Sequence, residues 1–381
     1  MSVLDLLRPN IRKLQPYRCA RDDFKEGILL DANENTHGPA VELSAAESLL
    51  ELNRYPDPHQ IELKQLICDW RNSEAARDNF DFKLSPQNIY LGVGSDECLD
   101  SVIRASCNPG KDKLLVCPPT YGMYSVSSAI NDVEIVSVPL DLRTFDVDVE
   151  RVLQTVLSDP SIRLMFICSP GNPTGKLIRE SDIQKLLEGW NKGFVVLDEA
   201  YIDFSGPSLC SWVNKYENLI VMQTLSKSFG LAGLRCGICY ANPPIAAALN
   251  AMKAPYNLAS TTAQIAIRAV QPGAIENMYA TVKLIISERE RLIRDLPKIK
   301  GVKDIIGGTD ANFLLVRIVN INGDPDNELA HSVYEDLAKE KKVVVRFRGN
   351  EQGCTGCLRV SIGTKPENDQ LLKVLAESLQ T

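Results

Sequence analysis

Residues 164–175 read LMFICSPGNPTG: an apolar run, Leu164–Cys168, that stops at Ser169-Pro170-Gly171-Asn172-Pro173-Thr174-Gly175. The pattern returns at residues 194–201, FVVLDEAY, where Phe194–Leu197 stops at Asp198-Glu199-Ala200-Tyr201. Near-continuous apolar runs of this length suit strands buried on both faces, because helices cover a parallel sheet from two sides. Working outward, Ile89–Val93 runs into Gly94-Ser95-Asp96-Glu97, and Leu219–Gln223 into Thr224-Leu225-Ser226-Lys227. Leu114–Cys117 and Glu134–Val138 also read as strands, and helix-period segments such as 97–105 and 180–190 lie between. The alternation predicts an α/β fold whose large domain has a mainly parallel central sheet. Open sheets of this kind bind ligands beyond the carboxyl ends of their strands. Four polar clusters at four such ends therefore mark one candidate site.

Beyond this region the order changes. A long amphipathic helix is expected over 276–296, then a strand over 312–318, a helix over 327–340, strands over 343–347 and 358–362, and a closing helix over 367–379. That is a smaller α+β C-terminal domain. At the other end, 41–54 and 60–72 have helical spacing, broken by Tyr55-Pro56-Asp57-Pro58 because proline cannot continue a helix. The expected division is an irregular arm over 1–40, a large domain over 41–270 and a small domain over 271–381.

Bulk composition excludes several classes. The chain has 381 residues, 44% hydrophobic and 24% charged, with a net charge of −7. That composition supports a large core. No clustered Lys and Arg block suggests a nucleic-acid surface. No run of about 18 apolar residues suggests a membrane span. Asp5 and Arg8 interrupt the N-terminal apolar stretch, so no signal-peptide core is read there. Eleven scattered cysteines fit reduced thiols in a cytoplasmic protein. The pairs Cys236/Cys239 and Cys354/Cys357 raise a zinc site, but residues three apart on the expected strand RCGICYA point to opposite faces, so no metal is expected.

Lys227 follows an apolar strand directly and is flanked by serines. Most lysines are solvated surface groups. One held where its amine loses hydration becomes a nucleophile able to form a Schiff base with an aldehyde cofactor. Asp198 ends another strand; its ordinary role would be a cap or an ion pair, its functional role a partner for a protonated pyridine nitrogen. Arg235 lies eight residues after Lys227, and its planar fork suits a phosphate. Thr224 and Ser226 add hydroxyls. Ser95 and Asp96 begin a helix whose N–H groups could seat an anion, a geometry that simple capping by Ser95 would share. Gly171–Lys176 is not a nucleotide P-loop: only three residues separate its glycines, and Leu177 follows the lysine.

Taken together, SPGNPTG, DEAY and TLSKSFGLAGLRCG resemble fold-type I enzymes dependent on pyridoxal 5′-phosphate (PLP), specifically the class I/II aminotransferases. LDANEN, RYPDP, CPPTYGMY and GCLRVSIGT narrow the resemblance to the histidinol-phosphate branch. The order and spacing match over nearly the whole chain. The resemblance implies that Lys227 carries PLP and moves the proton at the substrate Cα. It implies that Asp198 partners the pyridine nitrogen, that Asn172 and Tyr201 bond the phenolic oxygen, and that Tyr121 stacks on the ring. Ser95, Asp96, Thr224, Ser226 and Arg235 would form the phosphate cup. Tyr55 would reach into the partner's site across a homodimer. Arg359, Arg346, Tyr17 and Asn33 would contact substrate, with Arg348 an alternative to Arg346. The family often has Asn where this chain has Gly171, which should change loop flexibility more than chemistry.

The implied reaction is ping-pong transamination between histidinol phosphate and 2-oxoglutarate, giving imidazole acetol phosphate and glutamate in histidine biosynthesis. A PLP-dependent decarboxylase of a phosphorylated amino acid and an aromatic aminotransferase are the enzyme alternatives. A PLP-binding regulatory module is the non-enzyme alternative; the forty residues before the large domain show no helix-turn-helix pattern.

Overall fold

The computed structural model describes residues 2–15, 18, 39–41, 43–75 and 82–380. Among them eleven strands occur: β1 Ile89–Val93, β2 Lys113–Val116, β3 Glu134–Ser137, β4 Ile162–Cys168, β5 Phe194–Asp198, β6 Leu219–Thr224, β7 Cys236–Ala241, β8 Val302–Ile306, β9 Phe313–Ile318, β10 Arg346–Phe347 and β11 Cys357–Ser361. Two compact units divide the chain. One comprises Met1–Ser106 with Leu209–Ile275, the other Cys107–Ser208 with Glu276–Thr381.

In the first unit β7 pairs antiparallel with β1 on one side and β6 on the other. β6 and β7 are buried along their whole length. Val221, Cys239 and Ala241 are fully enclosed, as the apolar sequence requires. The helix Gly94–Ser106 follows β1 without a linker and sets Cys98, Leu99, Val102 and Ile103 into the core. Its start is crowded. A Cβ on Gly237 would lie 2.3 Å from the carbonyl carbon of Gly94 and 2.5 Å from the Ser95 nitrogen, so only glycine lets β7 pass this close.

The second unit holds four parallel strands in the order β5-β4-β2-β3, joined by the helices Met123–Ile130, Val149–Ser158 and Glu180–Gly189. It also holds an antiparallel sheet in the order β10-β11-β9-β8. The helices Asn327–Lys339 and Lys365–Ser378 pack on that sheet through Ala330, Val333, Leu337, Leu371 and Leu375. Their starts are capped as sequence chemistry demands: Asp326 accepts from the Leu329 N–H, and Thr364 forms a capping box with Glu367. The loop after β4 is tied to the segment before β9, since Gly308 N–H donates to the Thr174 carbonyl at 2.8 Å and Asp310 accepts from Leu177 N–H at 2.9 Å.

Two expected elements shrink. Of the helix expected over 41–54, only Ala45–Ser48 is helical; Glu51 adopts a left-handed conformation and Arg54 N–H turns back to its carbonyl. The strand expected over 343–347 is confined to Arg346–Phe347, because Lys342 is left-handed and Val343 donates to the end of the preceding helix at Leu337. β8 was not expected at all. Among the described residues no helix is long and apolar enough to cross a membrane, and no cluster of His, Cys, Asp and Glu is placed to hold a metal.

Candidate active site

The expected site residues fall into two sets, one in each unit. In the first unit, Gly94 is left-handed and donates to the Arg235 carbonyl at 3.1 Å, while Arg235 is itself left-handed. This bend turns the Arg235 side chain over the start of the helix Gly94–Ser106. Its guanidinium donates to the Ala232 carbonyl at 3.3 Å and to Asp96 at 3.4 Å. Both bonds are long, so much of its donor capacity is uncommitted. The N–H groups of a helix start favour anions, and Arg235 adds a formal charge beside them. Thr224 Oγ1 donates to the Cys236 carbonyl at 3.1 Å, accepts from Ser226 N–H, and lies 2.8 Å from Ser226 Oγ. Ser95, Asp96, Thr224, Ser226 and Arg235 thus sit at adjoining ends of β1, β6 and β7.

Lys227 follows directly in the turn after β6 and is exposed. Tyr55 is about half exposed, at 52%, and stacks on Tyr256 with centroids 4.5 Å apart and planes 19° from parallel. Lys253 holds the same loop by donating to the Pro58 carbonyl.

The second unit gathers the remaining set. Asp198 closes β5 in register with Cys168 of β4 and is buried. Its carboxylate accepts from the Tyr124 hydroxyl at 2.7 Å and from Ala200 N–H at 3.2 Å. Burial, then the neighbouring carboxylate, push the Tyr124 phenol well above its usual range, so it remains a donor. Tyr124 stacks on Phe166 at 4.6 Å and meets Tyr121 edge-on at 5.6 Å. Tyr124 was not singled out from the sequence, although it stands three residues after Tyr121 in TYGMY.

Tyr201 is buried and packs edge-on against Phe313 at 5.2 Å. Burial raises its phenol, and Arg359 partly offsets that. The Arg359 guanidinium donates to Asn172 Oδ1 and lies 5.2 Å from the Phe313 ring centre. Burial and the nearby Arg348 both disfavour its charge, so an anion beside it would be welcome. Arg346 is the direct register partner of Arg359, and directly opposed residues share a face of the sheet. Arg348 pairs with Glu351 at 2.8 Å, whereas Arg346 is exposed. Tyr17 and Asn33 lie outside the described residues.

The family profile described as aminotransferase class I and II matches residues 25–375. The chain belongs to this family. This aminotransferase is 52% identical over 379 residues to a histidinol-phosphate aminotransferase of Candida maltosa, covering 98% of this chain and 97% of that one. It is 53% identical over 380 residues to the enzyme of the same name from Saccharomyces cerevisiae, with the same coverage. Among solved structures, it resembles the histidinol-phosphate aminotransferase of Clostridium acetobutylicum with a TM-score of 0.74 and 25% identity, over 88% of this chain and 93% of that one. The Sinorhizobium meliloti protein of the same name, solved with pyridoxal-5′-phosphate, gives 0.74 at 22% identity, over 92% and 90%. The aminotransferase accordingly has the α/β fold of those proteins, a large domain with a mixed, largely parallel sheet and a smaller C-terminal α+β domain.

Proposed function

We propose that this aminotransferase binds PLP and exchanges the amino group of histidinol phosphate with 2-oxoglutarate, yielding imidazole acetol phosphate and glutamate in histidine biosynthesis. Relatives of that name at more than half identity over nearly the full chain support the substrate. The structural observation that carries it is the opposed pair Arg346 and Arg359, with Arg359 bonded to Asn172. Two arginines on one face suit a phosphate dianion better than one, and the same forks accept the carboxylate of glutamate.

The residues fit PLP. The long, weak bonds of Arg235 beside a helix start leave donors for its phosphate, to which Ser95, Asp96, Thr224 and Ser226 are assigned. Asp198 is assigned to the ring nitrogen, Tyr121 to the ring face, Asn172 and Tyr201 to the phenolic oxygen. PLP supplies an aldehyde for covalent capture of amines and a ring that accepts electrons. Lys227 Nζ would hold the cofactor covalently and, when free, would act as the base that moves a proton away from the substrate Cα. Asp198 would supply the negative charge that partners the ring nitrogen. Arg359 would hold the substrate's anionic end in both half-reactions and Arg346 mainly the phosphate, with Tyr17 and Asn33 as further substrate contacts. Arg346 is preferred over Arg348 because it stands directly opposite Arg359 in the sheet, whereas Arg348 pairs through one nitrogen with Glu351.

The reading includes a cytoplasmic homodimer in which Tyr55 reaches the partner's site, and the division into arm 1–40, PLP-binding domain 41–270 and small domain 271–381. Purified protein should form glutamate from histidinol phosphate when the reverse acceptor is 2-oxoglutarate, 10-fold or more faster (roughly one hydrogen-bonded anion's worth) than from phenylalanine. Release of CO₂, or no glutamate, would overturn the assignment.

A further inference from the structure

Asp198 is enclosed, and burying a carboxylate is costly unless donors compensate it. Tyr124 brings a hydroxyl to Oδ2 at 2.7 Å, and Ala200 N–H supplies the donor to Oδ1. The tyrosine is itself fully enclosed, in the helix Met123–Ile130, with its ring flat against Phe166, 11° from parallel, and its edge toward Tyr121. The Cys168 thiol also lies beside its hydroxyl. A phenylalanine would satisfy the stacking. The hydroxyl is needed only for the polar partners, and the carboxylate is the stronger acceptor.

We propose that Tyr124 is a positioning residue: its hydroxyl holds Asp198 ionised and aimed, and thereby sets how tightly the cofactor's ring nitrogen is held. This rests on the assignment of Asp198 to that nitrogen. A hydrogen bond to the charged form of a carboxylate favours that form. Without it, Asp198 has one orienting donor fewer, rotates more freely and is more readily protonated. The ring nitrogen then loses part of its counter-charge. The same side chain braces Tyr121, so the stacked ring and the nitrogen partner are set by one residue.

The test compares wild type, Tyr124→Phe, Phe166→Leu, Asp198→Asn and the double variant Tyr124→Phe/Asp198→Asn. Apo-proteins are titrated with PLP by absorbance; kcat and KM are measured for histidinol phosphate and 2-oxoglutarate. Tyr124→Phe should raise the PLP dissociation constant and lower kcat by about tenfold or more, the worth of one hydrogen bond to a charged group. KM should change less than about twofold, since no substrate contact is removed. Phe166→Leu should lower the melting temperature but leave PLP affinity within about threefold, because the hydroxyl remains. In the Asp198→Asn background the tyrosine change should cost little more, since coupled residues are not additive. Unchanged PLP affinity in Tyr124→Phe, an equal loss in Phe166→Leu, or full additivity with Asp198→Asn would each overturn the proposal. A wild-type protein that fails to bind PLP would overturn both the proposal and the functional reading beneath it.

Discussion

Replacing Gly237 by alanine tests whether the close passage of β7 past the helix start builds the anion seat. The added Cβ would stand 2.3 Å from the Gly94 carbonyl carbon and oxygen and 2.5 Å from the Ser95 nitrogen, all backbone atoms. Ordinary carbon contacts are about 3.5–4 Å, so β7 and the helix start must separate by roughly 1 Å. Overpacking of this kind costs about 1–3 kcal/mol of stability. The larger effect falls on the ligand. Hydrogen bonds that reach an anion from the first helical N–H groups are lost over such a shift, at about 1.5–3 kcal/mol each. One such loss corresponds to a roughly 10- to 100-fold weaker PLP dissociation constant. The assay is absorbance titration of apo-protein with PLP, paired with thermal melts. Gly233→Ala is the control, since nothing lies within 4 Å of a Cβ there, and it should bind PLP as wild type does. Wild-type affinity in Gly237→Ala, or equal losses in both variants, would refute the reasoning.

Other expectations concern catalysis and charge. Lys227→Ala should lose turnover by about 10⁴-fold; borohydride should fix PLP to the peptide containing Lys227 in wild type and to nothing in the variant. Arg346→Ala should reduce kcat/KM for histidinol phosphate by about 10- to 100-fold and for glutamate much less, whereas Arg359→Ala should harm both; equal losses for both substrates at Arg346 would argue against that division. Burial, then the neighbouring Lys253, lowers Lys64 from 10.5 to about 8, so the native state binds fewer protons than the unfolded chain between those values. Stability should therefore rise across that window, and below it the buried charge costs up to about 3 kcal/mol. Lys64→Met, followed by denaturant melts from pH 7 to 10.5, should flatten this rise; an identical pH slope would count against it.

The sequence made β1, β4, β5 and β6 plain because both faces of each strand are covered, leaving little room for polar residues. It misjudged elements fixed by single backbone choices. The apolar spacing around Leu49 and Leu52 suggests a helix, yet the left-handed Glu51 ends it. β8 contains Lys303 and Asp304 and shows no clean alternation, so only its pairing with β9 reveals it. At the site, strand-end position and family spacing pointed to the residues proposed to carry the chemistry. They could not indicate that Tyr124 hydrogen-bonds Asp198, because the partners are 74 residues apart and no local pattern links them. Nor could they show that Arg348, unlike Arg346, pairs with Glu351, which a turn brings back to it.

The first unit is discontinuous: the chain leaves it at Ser106 and re-enters at Leu209. Among the described residues β1 pairs with β7, Ile89 opposite Tyr240. During synthesis, β1 must wait while residues 94–235 emerge before β7 can pair with it. Long-range pairings of this kind slow folding and expose sticky intermediates. The proposed phosphate seat, drawn from residues 94–96 and 224–235, is thus among the later parts of this unit to exist. A ligand that binds it can capture only chains that have already closed that loop, so PLP supplied during refolding should raise the yield of native protein without speeding the earliest collapse.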